Sequence, residues 1–280
     1  MGWRLRIKHL TGYTYAGTAH TSYNEARMTP QTVPGQTTLF SQVECHPTAG
    51  TWRYWDYWGT QVSVFDLQRP HQQLRVTASA LVETSDRLAA AEPVGWAELR
   101  DPAARDRHVD YLAPTPLTEL DEELAALAAE VAGDGPPAEA AAAIAGWVRD
   151  TVEYVPGSTG VRTSALEAWH LRKGVCQDIA HLTVGMLRAV GIPARYVSGY
   201  LYPHVDGSVG DTVAGQSHAW VDWYCGEWNG VDPTNGVPAG HRHVIVARGR
   251  DYADVTPLKG IYHCAPGTGL GVTVEITRLA

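Results

Sequence analysis

Phenylalanine is nearly missing, with two residues in 280 against ten tryptophans and thirteen tyrosines. Tryptophan and tyrosine bring apolar area with a polar tip, so core filling is their default role and lining a cleft the second. Cysteine is scarce as well: Cys45, Cys176, Cys225 and Cys264 lie far apart with no paired spacing. That excludes a disulfide-built scaffold and suits free thiols in a reducing cytosol. Basic charge is short, 22 Lys and Arg scattered against 30 Asp and Glu, for a net charge of -8. A nucleic-acid surface or an anionic-membrane anchor is excluded on those grounds. No uncharged apolar run is long enough to span a bilayer. The opening MGWRLRIK holds charges where a signal peptide needs an apolar stretch, and Arg6 spoils a myristoylation match. The expectation is a cytoplasmic protein with no nucleic-acid or membrane partner.

A chain of 280 residues has room for one large domain or two modest ones. Residues 1–84 read as a β-rich region. Residues 4–15, 39–46, 62–68 and 74–82 alternate or carry β-branched and aromatic side chains, and TPQTVPGQT, HPTAG and QRPHQQ punctuate them. Residues 85–116, with Pro93, Pro102 and Pro114, are expected to form an irregular connector. Residues 117–280 are the expected catalytic region. TELDEELAALAAEVAGDG predicts a helix ending at Gly133, and residues 137–152 predict a second. A third follows Lys173 and Gly174, with Ile179, Leu182, Met186, Leu187 and Val190 at helical spacing before Gly191 and Pro193. Strands are then expected at ARYVSGYLY, SHAWVDWY, EWNGVD, HRHVIVARG and GVTVEITRL. The fold class that results is α+β.

Chemistry concentrates around the third helix. Cys176 stands at its start, where unpaired N–H groups and the helix dipole favour an anion and hence the thiolate form. The backbone N–H of Cys176 is also placed to receive an oxyanion. Asp178 in the same turn opposes the thiolate, so a cationic partner is needed. His218 supplies it. Positions 218 and 232 average to 225, the expected turn, so His218 and Asp232 should stand opposite each other in a hairpin. Opposed residues have Cβ atoms roughly 4.5–5.5 Å apart, close enough for an imidazole–carboxylate hydrogen bond. An odd midpoint requires a bulge or a three-residue turn, which Gly226 allows. The result is nucleophile, base and orienter in the order Cys, His, Asp.

Each residue also has an ordinary reading. A helical cysteine is commonly a small buried hydrophobe, and DPTNG alone is a turn. His181 lies about 140° round the helix from Cys176 and is expected to be structural. His241, His243, Cys225, His263 and Cys264 together imitate a metal site, but none has a ligand-pair spacing, so no metal is expected. Trp220 and Trp223 flank His218 on alternating faces. Arg248, Asp251 and Tyr252 are expected to brace the sheet.

At GVCQDIAHL, SHAWVDWY and DPTNG the sequence resembles the transglutaminase-like superfamily of papain-type folds. TSALEAWHLRKG, GIPARYVSGYL and HVIVARGRDYADVTPLKG extend the likeness, and RLRIKHLTGYTY and NEARMTP fit the bacterial branch with its N-terminal β-domain. The resemblance implies Cys176 as nucleophile, His218 as base and Asp232 as orienter. It implies cross-linking amide transfer, peptide or amide hydrolysis, or deglycosylation of asparagine side chains, with no cofactor. A second oxyanion donor is expected upstream of the cysteine, with Tyr154 and Trp147 as candidates, and Gln177 and Trp220 are cleft candidates. The expected function is cysteine-dependent amide hydrolysis of a peptide, protein or small amide. Transfer to an amine is the close alternative, and a non-catalytic binding module the distant one. Specificity is expected in the loop over residues 202–216.

Overall fold

Strict alternation builds the first strand: Trp3, Leu5, Ile7 and His9 are buried while the residues between them are exposed. In the computed structural model, which describes residues 2–85, 92–263 and 268–280, this strand is β1 (Gly2–Ala19). The N-terminal region continues with β2 (Ser22–Ala26), β3 (Gln36–His46), β4 (Thr51–Trp55), β5 (Gln61–Leu67) and β6 (His71–Ser85). Two of these, β2 and β4, are five residues each, too short to have stood out in the sequence. The stretch expected to be irregular instead holds three short helices, α1 (Trp96–Arg100), α2 (Pro102–Arg107) and α3 (Val109–Leu112). Pro102 starts α2, where its missing N–H costs nothing, and Asp101 accepts from the N–H groups of Ala103 and Ala104.

Next come α4 (Glu122–Ala132), capped by Asp121, and α5 (Pro137–Thr151). A short parallel pair, β7 (Glu153–Tyr154) and β8 (Lys173–Gly174), brackets α6 (Ala165–Leu171). Then α7 (Cys176–Ala189) leads into β9 (Ala194–Leu201), β10 (Thr212–Tyr224), β11 (Trp228–Asp232), β12 (Val237–Pro238) and β13 (His243–Gly249). The chain closes with α8 (Tyr252–Val255), β14 (Leu258–Tyr262) and β15 (Thr268–Arg278). Cys264 lies outside the described residues.

Every residue of α7 from Gln177 to Arg188 is buried. A helix buried all round belongs at the centre of a fold. Here α4, α5 and α6 pack on one side and β9 and β10 on the other. At its end Arg188 donates to the carbonyls of Ala113, Ala194 and Arg250, tying three segments together. The sheet beside it runs β12-β11-β10-β15-β1-β6-β3, and β9 joins β10 to β13. A second sheet, β14-β2-β5-β4, covers the far end through a core containing Met28, Phe65, Leu74 and Val76. The last two strands return to the N-terminal region: β14 pairs with β2 and β15 with β1. Strands β14 and β15 therefore build sheets with the N-terminal region as well as following the helical core. Among the described residues, no helix is long and apolar enough to cross a membrane.

Inside the sheet, Asp222 is fully buried and accepts from Arg195 at 2.9 Å and Arg248 at 3.0 Å. Arg248 also reaches Gln31, joining the N-terminal region to the sheet beside α7. Removing the carboxylate strands two guanidinium groups in a poorly hydrated place. Asp222→Ala is expected to lower unfolding stability by about 3–5 kcal/mol, read as a shift in the urea midpoint at unchanged slope. Asp251 and Tyr252, also expected to brace the sheet, instead set α8: Asp251 caps it, and the Tyr252 N–H donates to His181.

Candidate active site

The parallel β7–β8 pair delivers the chain to Cys176. The Val155 N–H donates to Gly174 across it, which brings Tyr154 beside the start of α7. Asp178 folds back onto that start, accepting from the Val175 N–H at 2.8 Å and the Thr159 hydroxyl at 2.6 Å. Burial raises the Asp178 carboxyl above its ordinary value, while these hydrogen bonds restrain the rise. The N–H groups of Cys176 and Gln177 open the helix, where they have no partner within it.

His218 sits on β10 opposite Gly199 of β9. Its Nε2 lies 2.7 Å from Asp232 Oδ2, which leaves Nδ1 for the Cys176 thiol. The hairpin that makes this contact differs from the expected one. The pairs run Val221 with Val231 to Tyr224 with Trp228, so the turn is the three residues 225–227, with Gly226 at φ 86°. Its midpoint is 226. The same register carried one step further puts Asp232 across from Trp220, with His218 as its diagonal neighbour. Since the shift is by two residues on one strand, both side chains stay on one face, and the contact survives.

Asp232 is surrounded by donors. Its Oδ1 accepts from the N–H groups of Thr234 and Asn235, and its Oδ2 takes the Asn235 amide at 2.7 Å in addition to His218. A second imidazole, His243 on β13, approaches the same Oδ2 at 3.1 Å. His243 Nδ1 accepts from the Gly240 N–H, so its proton resides on Nε2 and points at Asp232. Burial opposes charge on His218, yet the hydrogen bond to Asp232 and then contact with Cys176 push its pKa up to about 9. Burial would likewise raise Asp232, but hydrogen bonds from His218 and His243 hold it well below the usual carboxylate range. His243 goes the other way, lowered by burial against the pull of Asp232.

His218, Asp232 and His243 thus present ligand atoms within 4.8 Å of one another. Their spacing is that of hydrogen bonds, Oδ2 is already shared with Asn235, and the pKa of His218 is pushed up to about 9. The donor set therefore fits a polar network better than a metal centre. Of the other residues named for a metal, Cys225 donates to the Val94 carbonyl and the His241 ring packs on Trp3.

The remaining candidates separate. Tyr154 is half-exposed and close enough to Cys176 to interact with its charge, whereas Trp147 packs on Trp169 with ring centroids 5.1 Å apart. Gln177 lines the cavity in front of Cys176 and donates to the Val161 carbonyl. Trp220 lies behind His218, fully buried, with nearly parallel rings at 6.2 Å. His181, on α7 itself, is buried against Tyr196 and does not line the cavity. That cavity, of about 300 Å³, is walled by β1 and β15 as well as by α7, β9 and β10. Among the described residues, none from 202–215 lines it, so the loop expected to set specificity does not form its wall.

A cysteine at a central helix start, facing a histidine–aspartate pair on an antiparallel sheet, defines a papain-like α+β architecture with an N-terminal β region. Residues 125–233 match the transglutaminase-like superfamily, and residues 5–83 match the bacterial transglutaminase-like N-terminal region. The chain belongs to the transglutaminase-like superfamily. It is 48% identical to the Mycobacterium leprae protein ML0607 over 99% of this chain and 100% of that one. It is 32% identical to Rv2569c of Mycobacterium tuberculosis over 98% of this chain and 92% of that one. Among solved structures, one described as a "Putative Cysteine Protease" from Cytophaga hutchinsonii shares the fold. It has a TM-score of 0.78 at 23% identity, covering 100% of this chain and 92% of that chain.

Proposed function

We propose that the protein is a cysteine-dependent acyl-transfer enzyme that hydrolyses amide bonds through a thioester on Cys176. The observation that supports this reading best is His218 held between Asp232 at 2.7 Å and the Cys176 thiol, with its pKa pushed up to about 9. An imidazolium that persists through neutral pH is the counterion a thiolate needs.

The Cys176 thiolate attacks the carbonyl carbon, and the oxyanion is received by the Cys176 N–H, with Tyr154 as the nearby side-chain donor. Collapse breaks the C–N bond while the His218 imidazolium gives its proton to the departing amine. The neutral imidazole then takes a proton from water as that water attacks the thioester. The second collapse releases the acid and restores the thiolate–imidazolium pair. Asp232 keeps its charge throughout, holding the imidazole in one orientation.

Two measurements test this. At neutral pH, iodoacetamide should modify Cys176 on the order of tenfold or more faster than Cys45 and Cys225, whose thiols burial pushes up. The excess should disappear in His218→Ala. A Cys176 no faster than those two would return the protein to the class of binding modules. Product analysis with an amide donor and a primary amine then decides the acceptor: free acid alone means hydrolysis, and an amine adduct means transfer.

A further inference from the structure

The cavity that opens on Cys176 and His218 is made by parts of the chain that are distant in sequence. One wall is the face of β1 and β15 where Thr11 pairs with Val272 and Tyr13 with Leu270. Tyr196 and Tyr252 close it from the catalytic side, and Val161 stands at the rim. Among the described residues, no Asp, Glu, Lys or Arg side chain lines it.

His9, on the same wall, is committed on both ring nitrogens. Nδ1 bonds the Tyr200 hydroxyl and Nε2 the Thr11 hydroxyl, each at 3.0 Å. Burial pushes its pKa down to about 4, so it adds no charge at neutral pH. The charged groups of the cavity are thus those of the reacting pair itself. Meanwhile Leu270, Val272 and Val161 are exposed to 59%, 47% and 59% at its edge. Apolar side chains gathered at the mouth of a reactive cavity gain by being covered. A charged group placed there would lose water and find no partner.

We propose that this cavity is the acyl-donor subsite and selects an uncharged, branched aliphatic or aromatic side chain next to the carbonyl that Cys176 attacks. Its volume of about 300 Å³ matches one such side chain with its neighbouring backbone rather than a long segment. The inference rests on Cys176 being the nucleophile and adds the substrate class. It also gives the N-terminal region a function: β1 supplies specificity to a site whose reacting groups come from α7, β10 and β11.

The experiment uses the whole chain and blocked amino-acid chloromethyl ketones built on phenylalanine, leucine, glutamate and lysine. Labelling of Cys176 is followed by mass spectrometry, with each rate divided by that reagent's rate against glutathione. Iodoacetamide reports the bare thiol. The phenylalanine and leucine reagents are expected to label Cys176 at least about tenfold faster than both charged ones. In Leu270→Lys, a change at an exposed position, the glutamate reagent should gain about tenfold over the leucine reagent, each rate divided by that variant's own iodoacetamide rate. Equal normalised rates for all four, or a preference for a charged reagent in the wild type, would overturn the subsite. A slow iodoacetamide reaction would count against the nucleophile instead, and the ratios would still judge the cavity.

Discussion

Asp232→Asn is expected to slow acylation of Cys176 at pH 7 by roughly a thousandfold to ten-thousandfold while the chain still folds. The amide cannot hold an imidazolium. With the carboxylate gone, contact with Cys176 is left to offset burial, so the pKa of His218 falls from about 9 and the cation is depleted at neutral pH. The same change should leave a mark on stability. The raised pKa of His218 contributes stability that is complete below about pH 6.5 and lost as pH rises through about 9. The lowered pKa of Asp232 contributes stability present above about pH 3.8 and lost as pH falls. Urea titrations of wild type and variant should therefore differ most between about pH 4 and 6.5, and the gap should narrow without closing toward alkaline pH, where only the His218 share is lost. Unchanged acylation at pH 7 would remove Asp232 from the mechanism.

Gly199→Ala is expected to cost about 3 kcal/mol or more, although it adds one methyl group. A Cβ there would sit 2.0 Å from the Val244 carbonyl oxygen and 2.6 Å from the Trp220 ring. Val244 belongs to β13, whose register slips beside Gly199 because Val246 is an extra residue between Ile245 and Ala247. The carbonyl can retreat only if β13 moves, and β13 carries His243 to Asp232. The tryptophan can retreat only by tilting away from the back of His218. Gly199→Ala should thus lower both the urea midpoint and the rate of Cys176 alkylation. Gly240→Ala, where a Cβ meets nothing within 4 Å, should change neither by much.

The parts of this fold readable from sequence are those governed by local rules. Cys176 could be placed at a helix start because Ile179, Leu182 and Met186 set the helical period and Gly174 precedes it. His218 and Asp232 could be paired because a short hairpin leaves few registers, although the register in force is displaced by two residues. His243 escaped because its partner lies on β11, while its own strand pairs with β9, and no local pattern announces that adjacency. Asn235 was legible only as part of a turn, yet it donates to the same carboxylate. His9 left a fainter sign, a polar residue on the buried face after Trp3, Leu5 and Ile7. What could not be read was the return of β15 to β1, since long-range pairing is decided by the assembled core. That pairing made a wall of the cavity, which residues 202–215 do not line.

The partnership of β1 with β15 also orders events during synthesis. Leu5 waits for Arg278, and the upper half of β10 waits for residues 274–277. The helices around α7 can gather while the ribosome is still translating, but the face that encloses the thiol cannot. Contacts this distant in sequence form late and slowly. A nascent chain still short of residue 272 therefore carries Cys176 in a groove without its β15 wall.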